Sequence, residues 1–337
     1  MKKLALAVVL VLCLTLAAYA ELNEPVKLVF AAQEVGTGAY SVSAAIQGAM
    51  LKGLPAGSTI DLTTNSPGGV GAPVLIQRKR ADLIVGNAGP SLWSYQRSKK
   101  DYQFGDCPDV RSIAGGLGHA FANIMFTKAF VDKTGCTTME EVIAKKIPVK
   151  LITKKNGTLG ELTAERVIEA CGISVEDFLK FATWEKTGTD AIKSGIQDDL
   201  YDATIDHVDA GQATTTEICL THAMHFVQLK PETLANLNKM GYAPITVTAG
   251  TWNGLDHDIQ SMGSQQNVIV PASMPDDVAY ALVKGICENK EDIAAAVASL
   301  AWFDPKTAGK HDLNGAPLHP GAMKYYKEMG YEFDEFK

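Results

Sequence analysis

Four patterns are missing from this chain, and each absence removes a class of function. No Cys-x-x-Cys spacing occurs, so a structural zinc site has no framework. No Gly-x4-Gly-Lys-Ser/Thr run occurs, so ATP binding has no support. No Gly-x-Ser-x-Gly elbow occurs, and no Ser/His/Asp set can be ordered from spacing. Basic charge is also short, with 31 Lys and Arg against 38 Asp and Glu. A spread acidic balance argues against nucleic acid and against a basic membrane-surface patch. The histidines add little: His222 and His225 sit three apart, downstream of Asp206, His207 and Asp209. A metal needs three or four converging ligands, so the expectation is no metal, no cofactor and no catalytic residue.

What is there begins with an address. Lys2 and Lys3 precede the apolar run Leu4 to Leu16, and Ala18-Tyr19-Ala20 offers small residues where a signal peptidase reads. Residues 1–20 therefore read as a secretory signal, with a mature chain from Glu21 working outside the cytoplasm, in the periplasm. The 317 remaining residues, with 29 basic against 38 acidic side chains, carry a charge of −9. That length suits two domains. Cys107, Cys136, Cys171, Cys219 and Cys287 remain. An oxidising compartment permits two disulfides and leaves one thiol over.

Strand and helix patterns then alternate. Lys27–Ala32 is a short apolar run, and Val42, Ala45, Ile46, Ala49 and Met50 follow at helical spacing. Strands are expected at 58–64, 81–85 and 110–116, with a helix at 69–80. A second series starts at 121–128, with a helix at 138–144, a strand at 149–153 and a long helix at 159–171. Strand-like stretches at 181–185, 202–206 and 224–229 and a helix at 190–198 extend it. A strand at 267–270 and helices at 276–288 and 292–301 close the chain. This alternation predicts an α/β fold of parallel βαβ units. Two lobes without a flexible linker imply direct crossings and a cleft. The first lobe is expected from residues 21–122 and 264–337, the second from 123–263.

In such sheets ligands sit beyond the carboxyl ends of strands, where glycine-rich loops can hold an anion against helix N-termini. The candidate loops are Gly36-Thr37-Gly38-Ala39-Tyr40, Asn65-Ser66-Pro67-Gly68-Gly69-Val70-Gly71, Gly86-Asn87-Ala88-Gly89-Pro90-Ser91 and Lys154-Lys155-Asn156-Gly157-Thr158-Leu159-Gly160. Ser66 reads equally as a ligand contact or a helix cap, and Thr158 is open to the same two roles. Lys154 and Lys155 are solvated or counter a ligand carboxylate. None of these loops contains arginine.

The ordered series of loops resembles the TAXI family, the extracytoplasmic solute receptors of a class of TRAP transporters. The resemblance spans nearly the whole mature chain. It rests on the loops at 36–40 and 66–69, on Ala81-Asp82-Leu83-Ile84-Val85, on Asn156-Gly157-Thr158 and on Ala249-Gly250-Thr251-Trp252. The ending Pro317-Leu318-His319-Pro320-Gly321-Ala322-Met323-Lys324-Tyr325-Tyr326-Lys327-Glu328 is its most specific part. The resemblance implies a two-lobed periplasmic-binding-protein-like fold, a monomer that is not an enzyme. It closes on a small organic anion such as glutamate, glutamine or 2-oxoglutarate and delivers it to a TRAP permease. By position it implies Thr37, Tyr40, Asn65, Ser66, Gly69, Val70 and Asn87 on one lobe. Asn156, Gly157, Thr158, Gln212, Thr214 and Thr215 line the other, and His319 is structural.

The sequence departs from the pattern at Val70 and Pro73, at Gln212-Ala213-Thr214 and at Lys154-Lys155. Two other classes share the two-lobed fold. One is a secreted enzyme, either a hydrolase or a relative of pyrimidine-precursor synthases. The other is a receptor domain presenting its ligand state to a sensor.

Overall fold

The computed structural model describes residues 22–335 apart from 34, 36, 37, 98–101, 103 and 119. The expected signal segment and Thr37 lie outside the described residues. Two five-stranded mixed sheets organise the rest. The first contains β1 (Lys27–Ala31), β2 (Thr59–Thr63), β3 (Leu83–Asn87) and β4 (Val110–Leu117). The second contains β5 (Ala120–Thr127), β6 (Lys150–Lys154), β7 (Thr183–Thr187), β8 (Ala203–Asp209) and β9 (Met224–Phe226). A hairpin of β10 (Ala243–Val247) and β11 (Ile259–Gly263) follows, and β12 (Gln266–Pro271) returns to the first sheet.

Both sheets share one plan, although the sequence shows no internal repeat. Their orders are β2-β1-β3-β12-β4 and β7-β6-β8-β5-β9. In each, the first three strands are parallel and the fourth is antiparallel to both neighbours. The purely parallel expectation is corrected here for a simple reason. β5 and β12 are the strands that arrive from the opposite lobe, so they enter their sheets from the cleft side and run backwards. The first crossing lies between Leu117 and Ala120, where Gly118 adopts φ +100°. Residues 120–122, expected in the first lobe, therefore pair with β8 in the second sheet. The return crossing runs from Gly263 to Gln266, tight against the first: a Cβ on Gly263 would lie 2.2 Å from the Ala120 carbonyl oxygen.

The cores follow from strand and helix periodicity. Every residue of β5 is buried. Phe121 and Met125 pack on one face with Ile192, Ile218 and Trp252, while Ala122, Ile124 and Phe126 pack on the other. The helix Gly38–Gly53 turns Val42, Ile46, Ala49 and Met50 onto the first sheet beside Val278 and Leu282 of the helix Asp276–Glu288. His319 is buried and its Nδ1 accepts from the Gly321 N–H at 3.2 Å, capping the helix Pro320–Met329. Trp252, from the stretch 249–252, stacks on Phe226 at 5.7 Å.

Other expectations shift for local reasons. The helix expected over 69–80 is Ala72–Gln77, because Gly68 to Gly71 forms a turn and Lys79 takes a left-handed φ of 53°. Of the loop expected over 86–91, residues 88–91 instead open the helix Ala88–Tyr95; Pro90 is tolerated because the first turn needs no N–H. The helix expected over 292–301 breaks at extended Val297 into Lys290–Ala296 and a 3-10 turn, Ala298–Trp302. The five cysteines from Cys107 onward are all free thiols, so the two disulfides that the compartment permits do not form.

Candidate functional site

A cavity of about 520 Å³ opens between the lobes at the carboxyl ends of the parallel strands. The first lobe supplies Gln33, Ser66 to Val70, Asn87 and Gln266; the second supplies Lys155, Gly157 to Leu159, His207 and Asp209. Of the residues expected in the site, this cavity gathers Ser66, Gly69, Val70, Asn87, Gly157 and Thr158. Asn156 lines an adjoining hollow of about 570 Å³, which shares Val70, Gly157 and Thr158 with the first. Tyr40 and Asn65 line neither. Asn65 is exposed, and its Oδ1 accepts from the Thr63 hydroxyl at 2.8 Å.

The first-lobe wall is held by close approach. Ser66 N–H donates to the Ala32 carbonyl, and Ser66 Oγ accepts from Gly68 N–H at 3.2 Å. Gly69 lies so near Asn87 that a Cβ would fall 1.7 Å from its Oδ1. Asn87 is buried and donates through Nδ2 to the Ser264 carbonyl at 2.8 Å. Tyr102 donates to the Val70 carbonyl at 2.8 Å and fixes the far end of the loop.

On the second lobe, Thr158 caps the helix Leu159–Ala170. Its Oγ1 accepts from Glu161 N–H at 3.3 Å and donates to the Lys155 carbonyl at 2.9 Å. Glu161, nearly buried, accepts from Gly157 N–H at 3.3 Å and from Lys186 at 2.5 Å. Burial and the adjacent Glu161 push the Glu165 carboxyl above its ordinary range. The two lysines of this loop divide. Lys154 is drawn to Asp206 at 3.5 Å, whereas Lys155 is exposed on the cavity wall.

Gln212, Thr214 and Thr215 sit elsewhere, at a pocket of about 10 Å³ with Asn123, Lys154, Thr204 and Asp206. Gln212 Oε1 caps the helix Ala213–Thr221, accepting from both Thr215 N–H and Thr215 Oγ1 at 2.8 Å. Burial raises the Asp206 carboxyl above its ordinary range, and the Lys154 charge opposes that rise.

Sequence reasoning missed Gln33, His207, Asp209 and Gln266. The strand-end rule was enough to find Gln33 and Asp209 once β1 and β8 had their true ends. His207 was hidden by ending β8 at residue 206. Gln266 needed the topology, since it opens a strand running backwards from the cleft. His207 Nε2 faces Ser264 N–H at 3.0 Å, and burial lowers the imidazole pKa to about 3.

Solved structures share this architecture. A TctC solute-binding protein from Polaromonas matches with a TM-score of 0.55 at 14% identity, over 91% of this chain and 98% of that one. MatC from Rhodopseudomonas palustris, solved with bound malate, matches with 0.50 at 13%, over 90% and 98%. A binding-protein component of an ABC phosphonate transporter from Pseudomonas aeruginosa matches with 0.52 at 7%, over 83% and 81%. Identities this low carry the fold alone. No curated protein matches the chain by sequence. A family match does extend through both sheets and the cleft between them: over residues 30–330, the chain belongs to the NMT1-like family.

Proposed function

We propose that this chain is an extracytoplasmic solute receptor that closes its lobes on a small carboxylate and passes it to a membrane permease. The observation that carries this reading is the composition of the cavity walls. Both lobes contribute loops beyond parallel strands, and the walls offer amide, hydroxyl, imidazole and backbone groups, with one carboxylate, Asp209, set against one exposed lysine, Lys155, among the described lining residues. Such a surface holds an anion by hydrogen bonds and by the N-terminus of the helix Leu159–Ala170 rather than by a guanidinium clamp. That MatC was solved with malate supports a carboxylate on this fold. The resemblance of the loops at 66–69 and 156–158 and of the ending 317–328 supports a TAXI receptor of a TRAP system, periplasmic and monomeric. The moving units are the segments around the two sheets, hinged near Gly118 and at 264–265. The ligand-binding set is Ser66, Gly69, Val70, Asn87, Gly157 and Thr158, with Thr37, Tyr40, Asn65, Asn156, Gln212, Thr214 and Thr215 reached on closure or acting behind the walls.

Mass spectrometry of ligand carried through gentle purification, followed by calorimetry with the compound found, tests the reading. A small carboxylate of glutamate or 2-oxoglutarate type is the expected result. Tight binding of a neutral sugar, with no carboxylate bound, overturns it.

A further inference from the structure

His207 belongs to the cavity wall and to the crossing at once. It sits on β8, and Asp209 lines the cavity with it from the same strand face, while Asp206 points to the opposite side with Lys154. The Ser264 backbone N–H can only donate, so His207 Nε2 must be the acceptor in their 3.0 Å bond. The ring's proton therefore resides on Nδ1. Ser264 is itself fixed from the first lobe: its carbonyl accepts from Asn87 Nδ2 and its hydroxyl from Gly89 N–H, at 2.8 and 2.9 Å. The backbone thus imposes the tautomer, as a bonded partner sets which nitrogen carries the proton.

We propose that His207 is a specificity-determining residue of the cleft, whose Nδ1–H donates to an anionic or carbonyl oxygen of the ligand while Nε2 ties that contact to the crossing strand. The proposal rests on the reading of the cleft as a carboxylate site and names the wall group that selects for an acceptor. An ammonium group at this point meets a donor and is disfavoured; an oxygen completes the bond. Lys155 and Asp209 are the charged side chains sharing the cavity, with Gln33, Asn87 and Gln266 facing from the first lobe. Burial holds the ring neutral, so the donor is single and fixed over the physiological range.

Two substitutions separate the two nitrogens. His207→Gln reaches Ser264 with an acceptor but has no donor at the δ position. His207→Asn offers a donor at that position but falls short of Ser264. Calorimetry with 2-oxoglutarate, glutamate and malate, each alone, is paired with melting curves and long-range nitrogen NMR of the imidazole. The expected result is an H207Q protein that melts like the parent yet binds about five- to a hundred-fold more weakly. H207N is expected to melt lower and to bind within about threefold of the parent. The NMR should show the Nδ1–H tautomer down to about pH 5. Parental affinity in H207Q overturns the donor role and leaves the carboxylate reading standing. Failure of the parent to bind any of the three acids overturns the carboxylate reading and the ligand contact with it. An Nε2–H tautomer, or protonation at the ordinary histidine range, overturns the assignment whatever the ligand.

Discussion

At Gly69 a methyl group has no room, since its Cβ would overlap Asn87 Oδ1 at 1.7 Å. Gly69→Ala must push the Asn87 side chain off the Ser264 carbonyl, and overpacking of this kind costs about 1–3 kcal/mol. Urea denaturation should show that loss together with weaker ligand binding; an unchanged midpoint would mean that Asn87 moves freely. Thr158 behaves differently. Its hydroxyl is already used at both ends as a cap, so Thr158→Val should cost about 0.5–2 kcal/mol and lower the melting temperature. Thr158 acts in the proposed site by shaping its loop rather than through its hydroxyl, so affinity of the folded variant is expected to stay near the parent's, and a large loss would place the hydroxyl on the ligand instead. His207 gives a pH prediction. Its folded pKa lies near 3 and an unfolded histidine titrates near 6.5, so the unfolded chain takes up the proton first. Stability from this group is whole above about pH 6.5 and is lost as pH falls toward 3. Stability–pH curves of the parent should fall more steeply through that window than those of H207Q.

Among the elements, the helix Leu159–Ala170 is where charge and geometry meet. Its first turn is pinned by Glu161, which bonds Gly157 N–H and Lys186 while nearly buried. Glu165 stands one turn on and already has a raised carboxyl pKa. Lys186→Met leaves both carboxylates without their shared cation, and breaking a partly buried pair is expected to cost about 1–3 kcal/mol. A raised carboxyl pKa favours the folded state as pH falls, so the deficit should be largest near pH 8 and shrink toward about pH 5. Denaturation of parent and variant at both values checks the slope; a deficit independent of pH would assign the loss to packing against Trp184, over which the ammonium lies at 4.3 Å.

For the whole molecule, two crossing segments packed edge to edge join the two sheets. Gly263 abuts the Ala120 carbonyl, Gln265 Nε2 reaches the same oxygen at 3.4 Å, and Ser261 Oγ donates to the Ala122 carbonyl at 2.8 Å. Gly263→Ala should prise the segments apart. Small-angle scattering should then show a smaller change in radius of gyration on ligand addition than in the parent, whereas an equal change would show that closure does not depend on this contact. With Lys155 the only lysine or arginine on the cavity wall among the described residues, screening has little to act on. Affinity is expected to fall by roughly threefold or less between low and physiological ionic strength. A steep salt dependence in calorimetry would point to long-range charge in place of hydrogen bonds.

Much of this architecture was legible in the sequence because periodicity is a local property. The strands at 110–117 and 120–127, the helix Asp276–Glu288 and the glycine loops at 66–69 and 156–158 each announce themselves within a dozen residues. Strand direction is not local. β5 and β12 look like any buried strands, and only their origin in the opposite lobe makes them antiparallel. The same limit governs the site. Ser66, Asn87 and Thr158 stand beside glycines in recognisable loops, but Gln266 and His207 reach the cavity through pairing partners far away in the chain. Gln212 and Thr215, at the start of the helix Ala213–Thr221, satisfy each other behind the wall. Sequence alone determined which segments end at a cleft. Only the tertiary structure decided which side chains face into it and which nitrogen of His207 carries the proton, because those depend on distances between residues that the chain order does not hold.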